Sequence, residues 1–411
     1  MQQGGTINLF AEMVFKEVKQ WTLKKPLNNA ALGLKHFGDD FLWMIFVNAE
    51  PKLAAKCRCL SKKWCSLLTS HRFLREKYKA ISRRNRDIIV GVGYPPSDLN
   101  ATWFLRVDPR IGEQIHFRIP TVINVFGHYT LIGSDHGNLC IRVTESGLNS
   151  RILIWNPLTE DTAWVRDEAW RHRDLPMSVD GFGYLSDTTD YRIIHVWKAS
   201  HTQRYMGWCV YKSKMKAWSK DMTFISEVEK LGPQSVVCNG IVFWIGWEGF
   251  DFSQPNCIVS FNFKQLEFCQ EPIPPTVSAP HNSLAKINGG VAFMTYREIP
   301  FSCEVVVWDM YREDNDSLVW QRKFKVKDVP MPYTPSILLD GTIVSILECR
   351  VSSGAANNAE KMDLYIFKMV HKSSEMKLIY HNHWEEEVSV KSITLHSEGL
   401  YPVQYQTPSI A

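Results

Sequence analysis

Ile152-Leu153-Ile154-Trp155-Asn156-Pro157 is a short run of aliphatic and aromatic residues that ends in a polar turn. β-Branched and aromatic residues favour β-strands and Asn-Pro favours a turn, so the stretch predicts one strand and its exit. The pattern recurs at Phe104-Leu105-Arg106-Val107-Asp108-Pro109, Trp208-Cys209-Val210-Tyr211-Lys212, Ile258-Val259-Ser260-Phe261-Asn262, Val305-Val306-Val307-Trp308-Asp309 and Leu364-Tyr365-Ile366-Phe367-Lys368. Equivalent positions lie 48, 56, 50, 47 and 59 residues apart, which indicates an internal repeat.

A repeat of about 50 residues with four short strands is typical of one blade of a kelch-like β-propeller. The pairs Asn239-Gly240, Asn288-Gly289 and Asp340-Gly341 predict tight hairpins between the first two strands of three blades. Residues 389–395 are predicted to supply a closing strand. Since a single blade cannot bury both its faces, stacking of blades accounts for the fifteen tryptophans without a ligand.

Composition narrows the class of protein. Of 411 residues, 45% are hydrophobic and 22% charged, as in ordinary globular proteins, and no apolar run is long enough to span a membrane. Charged residues interrupt any signal-peptide core within the first 35 positions, so we expect an intracellular protein, in the cytoplasm or nucleus. The ten cysteines are then expected to be reduced, and their spacing does not fit a zinc site.

Helical periodicity is confined to the region before the strands. Asp39 and Asp40 are placed to cap a first helix, Pro51 suits the first turn of a second, and further helical segments begin near Ser61 and at His71. A unit of this size has a small core, so we expect it to lean on a partner or on the next domain. The predicted fold class is α+β and multidomain: an N-terminal extension (1–35), a small helical domain (36–82) and a mostly-β, kelch-like propeller of about six blades (86–405).

Positive charge is concentrated in the helical region. Between Glu50 and Arg86, twelve Lys and Arg residues face two Glu residues, which gives +10 against −6 for the rest of the chain. Such a block fits an acidic partner, nucleic acid or simply a solvated surface. Nucleic-acid binding is disfavoured because the aromatic residues in this block have helical core spacing rather than that of a stacking surface.

The helical region resembles an F-box of the plant type. The string Arg58-Cys59-Leu60-Ser61-Lys62-Lys63-Trp64 matches the second half of that motif without a gap, and Ser70-His71-Arg72-Phe73 fits its usual continuation. Three positions depart from the motif: Gly38 replaces its first proline, Ala49-Glu50 its second Leu-Pro, and Ala54-Ala55 its leucines. Smaller side chains at an adaptor surface would weaken adaptor binding.

The rest of the chain resembles the F-box-associated domain of plant proteins. The matching strings are Gly181-Phe182-Gly183-Tyr184 with Asp190-Tyr191-Arg192-Ile193-Ile194, Val210-Tyr211-Lys212 with Trp218, Asn239-Gly240-Ile241-Val242-Phe243-Trp244, and Trp155-Asn156-Pro157-Leu158-Thr159. Together the two resemblances cover roughly residues 37–400.

These resemblances imply a substrate-recognition subunit of a Skp–cullin–F-box E3 ubiquitin ligase. The F-box would bind a Skp-type adaptor and through it a cullin, and the propeller would bind an unknown target protein. The chain itself would be non-catalytic and need no cofactor. By the resemblance to the F-box, the residues expected to bind the adaptor are Phe37, Gly38, Asp40, Phe41, Ile45, Phe46, Pro51, Lys52, Leu60 and Trp64.

Target binding is expected on loops at one rim of the propeller. Exposed Trp, Arg and Phe are typical of interface hot spots, and two inter-strand stretches carry them. The candidate residues are Trp170, Arg171, Arg173, Trp247, Phe250 and Phe252. The alternative is that the tryptophans pack under their own loops.

Two other functions stay open at this point. One is a scaffold or decoy whose degenerate F-box no longer binds the adaptor. The other is a propeller enzyme or sugar-binding module, which carboxylates or histidines converging on one rim would favour. His381 and His383 share one strand face but have no evident third ligand, so a metal site is not predicted.

Overall fold

The structure is a computed structural model. The residues it describes are 39–49, 51–59, 62–82, 87–93, 102–108, 113–117, 127–145, 150–168, 172, 175, 177–200, 204–249, 252–277, 281–287, 290–299, 302–312, 318–329, 344–351, 361–369, 376–383 and 389–396. The predicted extension 1–35 lies outside them.

Four short helices form the helical unit: α1 (Asp39–Asn48), α2 (Pro51–Cys57), α3 (Lys62–Thr69) and α4 (His71–Ser82). Pro51 begins α2, as its fixed φ predicts. Ser70 links α3 to α4: its hydroxyl donates to the Leu67 carbonyl at 2.7 Å and accepts from the Phe73 N–H at 3.3 Å. One side chain therefore satisfies backbone groups at the end of one helix and the start of the next.

Lys77 of α4 fixes the end of α1. Its side chain is 1% exposed, and its ammonium donates to the carbonyls of Phe46 at 2.9 Å, Val47 at 3.3 Å and Ala49. These carbonyls lie at the C-terminus of α1, where they lack helical partners and where the helix dipole favours a cation. The contact holds α1 against α4.

The strands form six antiparallel sheets within the described residues. Sheet 1 contains β1 (Asp87–Gly93), β2 (Thr102–Asp108), β3 (Glu113–Phe117) and β25 (Ser389–His396). Sheet 2 contains β4 (Gly127–Asp135), β5 (Asn138–Glu145), β6 (Ser150–Trp155) and β7 (Thr162–Arg166). Sheet 3 contains β8 (Met177–Leu185), β9 (Asp190–Lys198), β10 (Tyr205–Lys212), β11 (Ala217–Trp218) and β12 (Met222–Ile225).

Sheet 4 contains β13 (Val228–Leu231), β14 (Val236–Cys238), β15 (Ile241–Glu248), β16 (Cys257–Asn262) and β17 (Glu267–Pro272). Sheet 5 contains β18 (His281–Ile287), β19 (Gly290–Ile299), β20 (Ser302–Arg312) and β21 (Leu318–Val329). Sheet 6 contains β22 (Val344–Val351), β23 (Lys361–Met369) and β24 (Met376–His383). Six antiparallel sheets agree with the predicted propeller of about six blades.

The last strand pairs with the first. β25 lies beside β1, with Asp87 opposite His396 and Ile88 opposite Leu395. The predicted closing strand at 389–395 is thus confirmed, and the pairing joins the two ends of the β region. In a propeller such pairing covers a sheet edge that would otherwise be open.

The repeated sequence pattern falls on a repeated structural position. In sheets 1 to 5 it lies on the third strand of the sheet order, and in sheet 6 on β23. At the end of β6, the Asn156 Oδ1 accepts from the N–H groups of Leu158 and Thr159 at 3.0 and 3.2 Å. At the end of β16, the Asn262 Oδ1 accepts from Lys264 and Gln265 in the same way, at 2.8 and 3.2 Å. The polar residue of the pattern therefore forms the turn that starts the fourth strand.

The Gly-Phe-Gly-Tyr string is explained by close packing between sheets 3 and 4. A Cβ on Gly181 of β8 would lie 2.5 Å from a methyl of Val242, and one on Gly183 would lie 2.7 Å from a methyl of Val237. The intervening Phe182 is buried against Tyr191 instead. Glycine at alternate positions lets β8 approach the next sheet.

The turns leave the sheets at two faces. The turns between the first and second strands lie together: Gly240 adjoins Leu185, and His136 adjoins Tyr184. We call the face that carries these turns the helix-bearing face. Two longer connections leave at the other end of the strands, which we call the opposite face. They are 167–176, between β7 and β8, and 249–256, between β15 and β16.

Candidate functional site: two faces of the propeller

The residues predicted to bind the adaptor divide into buried and partly exposed positions. Phe46 is 5% exposed, with its ring 4.9 Å from that of Trp64, and Pro51 is also buried. Trp64 and Ile45 are half-buried. Phe37, Gly38 and Leu60 lie outside the described residues, as do the side chains of Asp40, Phe41 and Lys52. The adaptor role of the whole set stays a prediction.

Two departures from the F-box motif fall inside the helical unit. Ala49 is 5% exposed and Ala54 is fully buried. The expectation that these small residues remove area from the adaptor surface was wrong, because their side chains face the core of the chain itself. Sequence alone did not distinguish the inner from the outer positions of such short helices.

An exposed residue of α1 was missed by the sequence reasoning. Met44 is 49% exposed and lies among buried and half-buried neighbours. The helical unit also presents exposed basic side chains: Lys56, Lys62, Lys63, Arg72, Arg75 and Lys79. Lys77 belongs to the basic block in sequence but not to this surface.

The helical unit packs on the helix-bearing face at sheets 2 and 3. The Tyr78 ring stacks on His136 with centroids 4.1 Å apart and 17° between planes, and its hydroxyl accepts from the His136 N–H at 3.2 Å. Beneath this contact one hydrophobic cluster joins Phe73 of α4 to Ile152 of β6 and Tyr191 of β9. The expected support of the small helical unit by the next domain is thus seen.

Asp135 anchors this junction from within the propeller. Its carboxylate lies 3.0 Å from His136 Nδ1 and 4.0 Å from Lys286 Nζ, and it accepts from the Tyr184 N–H at 3.0 Å. Burial opposes ionisation, but His136, Lys286 and the Tyr184 N–H together lower the pKa of Asp135 to about 2. Lys286 comes from sheet 5, so a residue distant in the chain stabilises the charge.

Of the residues predicted to bind the target, the structure describes two, at the opposite face. Trp247, the last residue but one of β15, is half-buried, and Phe252 in the following connection is 40% exposed. Outside the described residues are Trp170, Arg171, Arg173 and Phe250. Both predicted stretches belong to connections that leave at this same face, although they are about 80 residues apart in the chain.

Lys230 joins the second of these stretches. It lies opposite Trp247 in the pairing of β13 with β15. Its ammonium is 5.2 Å from the centroid of the Trp247 ring and 5.6 Å from that of Phe252. Sequence reasoning missed Lys230, because it is an ordinary lysine until strand register places it between two aromatic residues.

A buried polar cluster lies between sheets 2 and 3. Arg142 of β5 pairs with Asp180 of β8 and lies 4.0 Å from Asp167, and Asp180 also lies 3.0 Å from His195 Nδ1. The side chains of Asp167 and His195 are fully buried. The charged groups therefore pair with each other inside the propeller.

His172 connects this cluster to the opposite face. Its ring stacks on Trp197 with centroids 3.9 Å apart and 2° between planes, and its Nε2 lies 3.2 Å from Asp221 Oδ2. His172 belongs to the connection that carries the first predicted target-binding stretch. The stack fixes one point of that connection to sheet 3.

Among the described residues, no group of three or more His, Cys, Asp or Glu side chains is arranged to hold a metal ion. His381 and His383 lie on β24, as predicted, with side chains outside the description. None of the helices described has the length and hydrophobicity needed to cross a membrane.

The solved structures to which this chain is similar share little sequence with it and have low TM-scores. TolB from Acinetobacter baumannii is 11% identical with a TM-score of 0.43, covering 82% of this chain and 72% of its own. A hypothetical selenium-binding protein from Sulfolobus tokodaii is 10% identical with a TM-score of 0.39, covering 83% and 99%. A putative 6-phosphogluconolactonase from Bacteroides uniformis is 9% identical with a TM-score of 0.36, covering 76% and 99%. TM-scores below 0.5 carry no conclusion about function.

The comparison with protein-family models shows the family of this chain. No curated protein matches the chain. The model described as "F-box associated beta propeller domain" matches residues 131–396, nearly two-thirds of the 411 residues. This range includes the Gly-Phe-Gly-Tyr string, the asparagine turns and the closing strand. The chain therefore belongs to the F-box associated beta propeller domain family.

Proposed function

We propose that this chain is the substrate-recognition subunit of a Skp–cullin–F-box E3 ubiquitin ligase. The family implies substrate recognition by an F-box protein in general. The observation that carries the finer proposal is the arrangement of the two faces: a helical unit with an F-box-like sequence packs on one, and the predicted target-binding connections leave at the other.

The helical unit is proposed to bind a Skp-type adaptor, and through it a cullin. Exposed Met44 offers an apolar contact, and the exposed lysines and arginines of the helical unit would steer an acidic adaptor toward this unit. Half-buried Ile45 and Trp64 would join this contact, while buried Phe46 and Pro51 would support it from beneath.

The propeller is proposed to hold a target protein at the opposite face. The chain would then act by proximity alone: a target lysine near the conjugating enzyme has a raised effective concentration. The stacking of Tyr78 on His136 and the shared hydrophobic cluster support such a role, because they would keep the target at a fixed position relative to the adaptor. The proposed compartment is the cytoplasm or nucleus.

The test is a binding titration of the full chain with a purified Skp-type adaptor at two salt concentrations. We expect binding that weakens at higher salt, because the surface involved is basic. Met44→Asp should weaken it by about tenfold or more, since a charge would be buried against an apolar partner surface. The matched control is Met222→Asp, since Met222 of β12 is also 49% exposed.

Absence of adaptor binding would overturn the ligase proposal. The scaffold or decoy function would then be favoured, with the departure at Gly38 as its sequence basis. Equal weakening by both Met variants would show that Met44 has no special part in the contact.

A further inference from the structure

The cluster of Lys230, Trp247 and Phe252 at the opposite face, here called the lysine–aromatic cluster, carries an exposed positive charge. The Lys230 ammonium contacts two aromatic rings but forms no ion pair within the described part of the chain. The two glutamates nearest to it along the strands are otherwise engaged: Glu229 lies 3.0 Å from Lys198 Nζ, and Glu248 accepts from Gln270. The lysine charge is left for an external partner.

Trp247 adds a second donor to the same cluster. Its indole N–H is buried and has no acceptor among the described residues. Buried donors in native proteins nearly always have a partner. The Lys230 ammonium beside this N–H is exposed to water, so an anionic group with acceptor oxygens would complement its charge.

The aromatic rings also shape what this ligand can be. They hold the ammonium in one place without neutralising it, which lowers the entropy lost on binding. Phe252 is 40% exposed, so its ring offers an apolar surface beside the charge. Lys230 itself is exposed, and the tryptophan beside it is a residue type typical of interface hot spots.

The connection that carries Phe252 is held at its base. The Asn256 side chain accepts from the Glu248 N–H at 2.7 Å and donates to the Glu248 carbonyl at 3.1 Å, so it bridges the two ends of the connection. The Asn256 carbonyl also accepts from the Ile273 N–H at 2.8 Å. The cluster is therefore preorganised rather than formed by a free loop.

From these contacts we infer that the lysine–aromatic cluster binds an acidic peptide segment of the target protein, with an anionic side chain on Lys230 and an adjacent apolar side chain on Phe252. The inference rests on the proposed function, since it names the chemistry of the target. It also assigns the central role to a residue that the sequence did not single out.

The test uses the full chain and an array of synthetic twelve-residue peptides. Each peptide carries one aromatic or aliphatic residue, and the position beside it is Asp, Glu, phosphoserine, Asn, Gln or Lys. We expect the anionic peptides to bind at least about tenfold more tightly than their Asn and Gln counterparts, and this preference to shrink as salt rises. The three anionic arms separate a carboxylate from a phosphate as the source of the oxygens.

Charge variants identify the residue responsible. Lys230→Ala should remove the anionic preference, and Lys230→Glu should reverse it toward the lysine peptide. The matched control is Lys264→Ala, since Lys264 is an exposed lysine on the helix-bearing face, paired with Asp187 at 2.9 Å. Thermal unfolding of each variant checks that the fold is kept.

Two results would overturn the inference: the wild-type chain shows no preference for anionic peptides, or the preference persists in Lys230→Glu. Titrating the same preparations with the adaptor distinguishes failure of this inference from failure of the ligase proposal. Adaptor binding without anionic preference would remove only the target chemistry, and anionic preference without adaptor binding would remove only the ligase role.

Discussion

Two charged residues at the helix-bearing face and one at the opposite face differ in their partners. At the helix-bearing face, Asp135 has three partners and Lys77 has three carbonyls, all within the chain. At the opposite face, Lys230 and the Trp247 indole have no acceptor within the described residues. This difference supports the proposal that the helix-bearing face holds the helical unit and the opposite face binds the target.

The largest effect is expected at Lys77. Lys77→Ala removes the donor to three buried carbonyls at the end of α1, which should destabilise the helical unit by about 3 kcal/mol. Hydrogen exchange of the α1 amides and urea unfolding would measure it. The control is Lys79→Ala. Lys79 is 55% exposed and forms a surface ion pair with Glu76 at 3.4 Å, so its loss should change the unfolding free energy by less than about 0.5 kcal/mol. Equal effects of the two variants would contradict the role of Lys77.

Asp135 should make the helix-bearing face sensitive to acid. Its pKa in the folded chain is about 2, below the ordinary 3.8, so its stabilising contribution is complete above about pH 4 and is lost as the pH falls toward 2. The contribution is roughly 2 kcal/mol. Urea unfolding of wild type and Asp135→Asn between pH 2 and 6 should give free energies that converge in acid. Parallel pH profiles would mean that Asp135 does not titrate in this way.

A smaller effect is expected from Tyr78→Phe, which keeps the ring that stacks on His136 and removes the hydroxyl that accepts from the His136 N–H. The expected loss is about 1 kcal/mol of stability. Tyr205→Phe serves as the control because Tyr205 is 56% exposed. If Tyr78→Phe left the free energy of urea unfolding unchanged, the contact between the helical unit and the propeller at this point would depend on ring packing and not on the hydroxyl.

The smallest effect on stability is expected at the opposite face. Phe252→Ala should change the unfolding free energy by about 0.5 kcal/mol or less, because the ring is 40% exposed, yet it should weaken binding of acidic peptides. If Phe252→Ala lowered stability but left peptide binding unchanged, Phe252 would have a structural role and not the proposed binding role.

Features encoded within a few residues could be predicted from the sequence. The strand-and-turn pattern was recognisable because Asn156 and Asn262 bond to backbone groups two and three residues ahead. The hairpin at Asn239-Gly240 was predicted for a similar reason: both residues have positive φ, at 52° and 75°. Local chemistry of this kind identified the blades and the helical unit.

Features that depend on distant partners could not be predicted. Lys77 is one of twelve basic residues in its block, and only the fold brings it to the end of α1. Lys286 reaches Asp135 from 151 positions away in the chain, and Lys230 meets Trp247 through strand register. The candidate target site was therefore only partly predicted: its aromatic residues were named, but its charged residue was not.

The most direct test of the two-face account is a titration of the full chain with the Skp-type adaptor in the presence and absence of a saturating acidic peptide. Because the two partners are assigned to opposite faces, we predict a complex of all three components and an adaptor affinity that the peptide does not change. Competition between peptide and adaptor, or failure of the chain to bind the adaptor at all, would contradict the account.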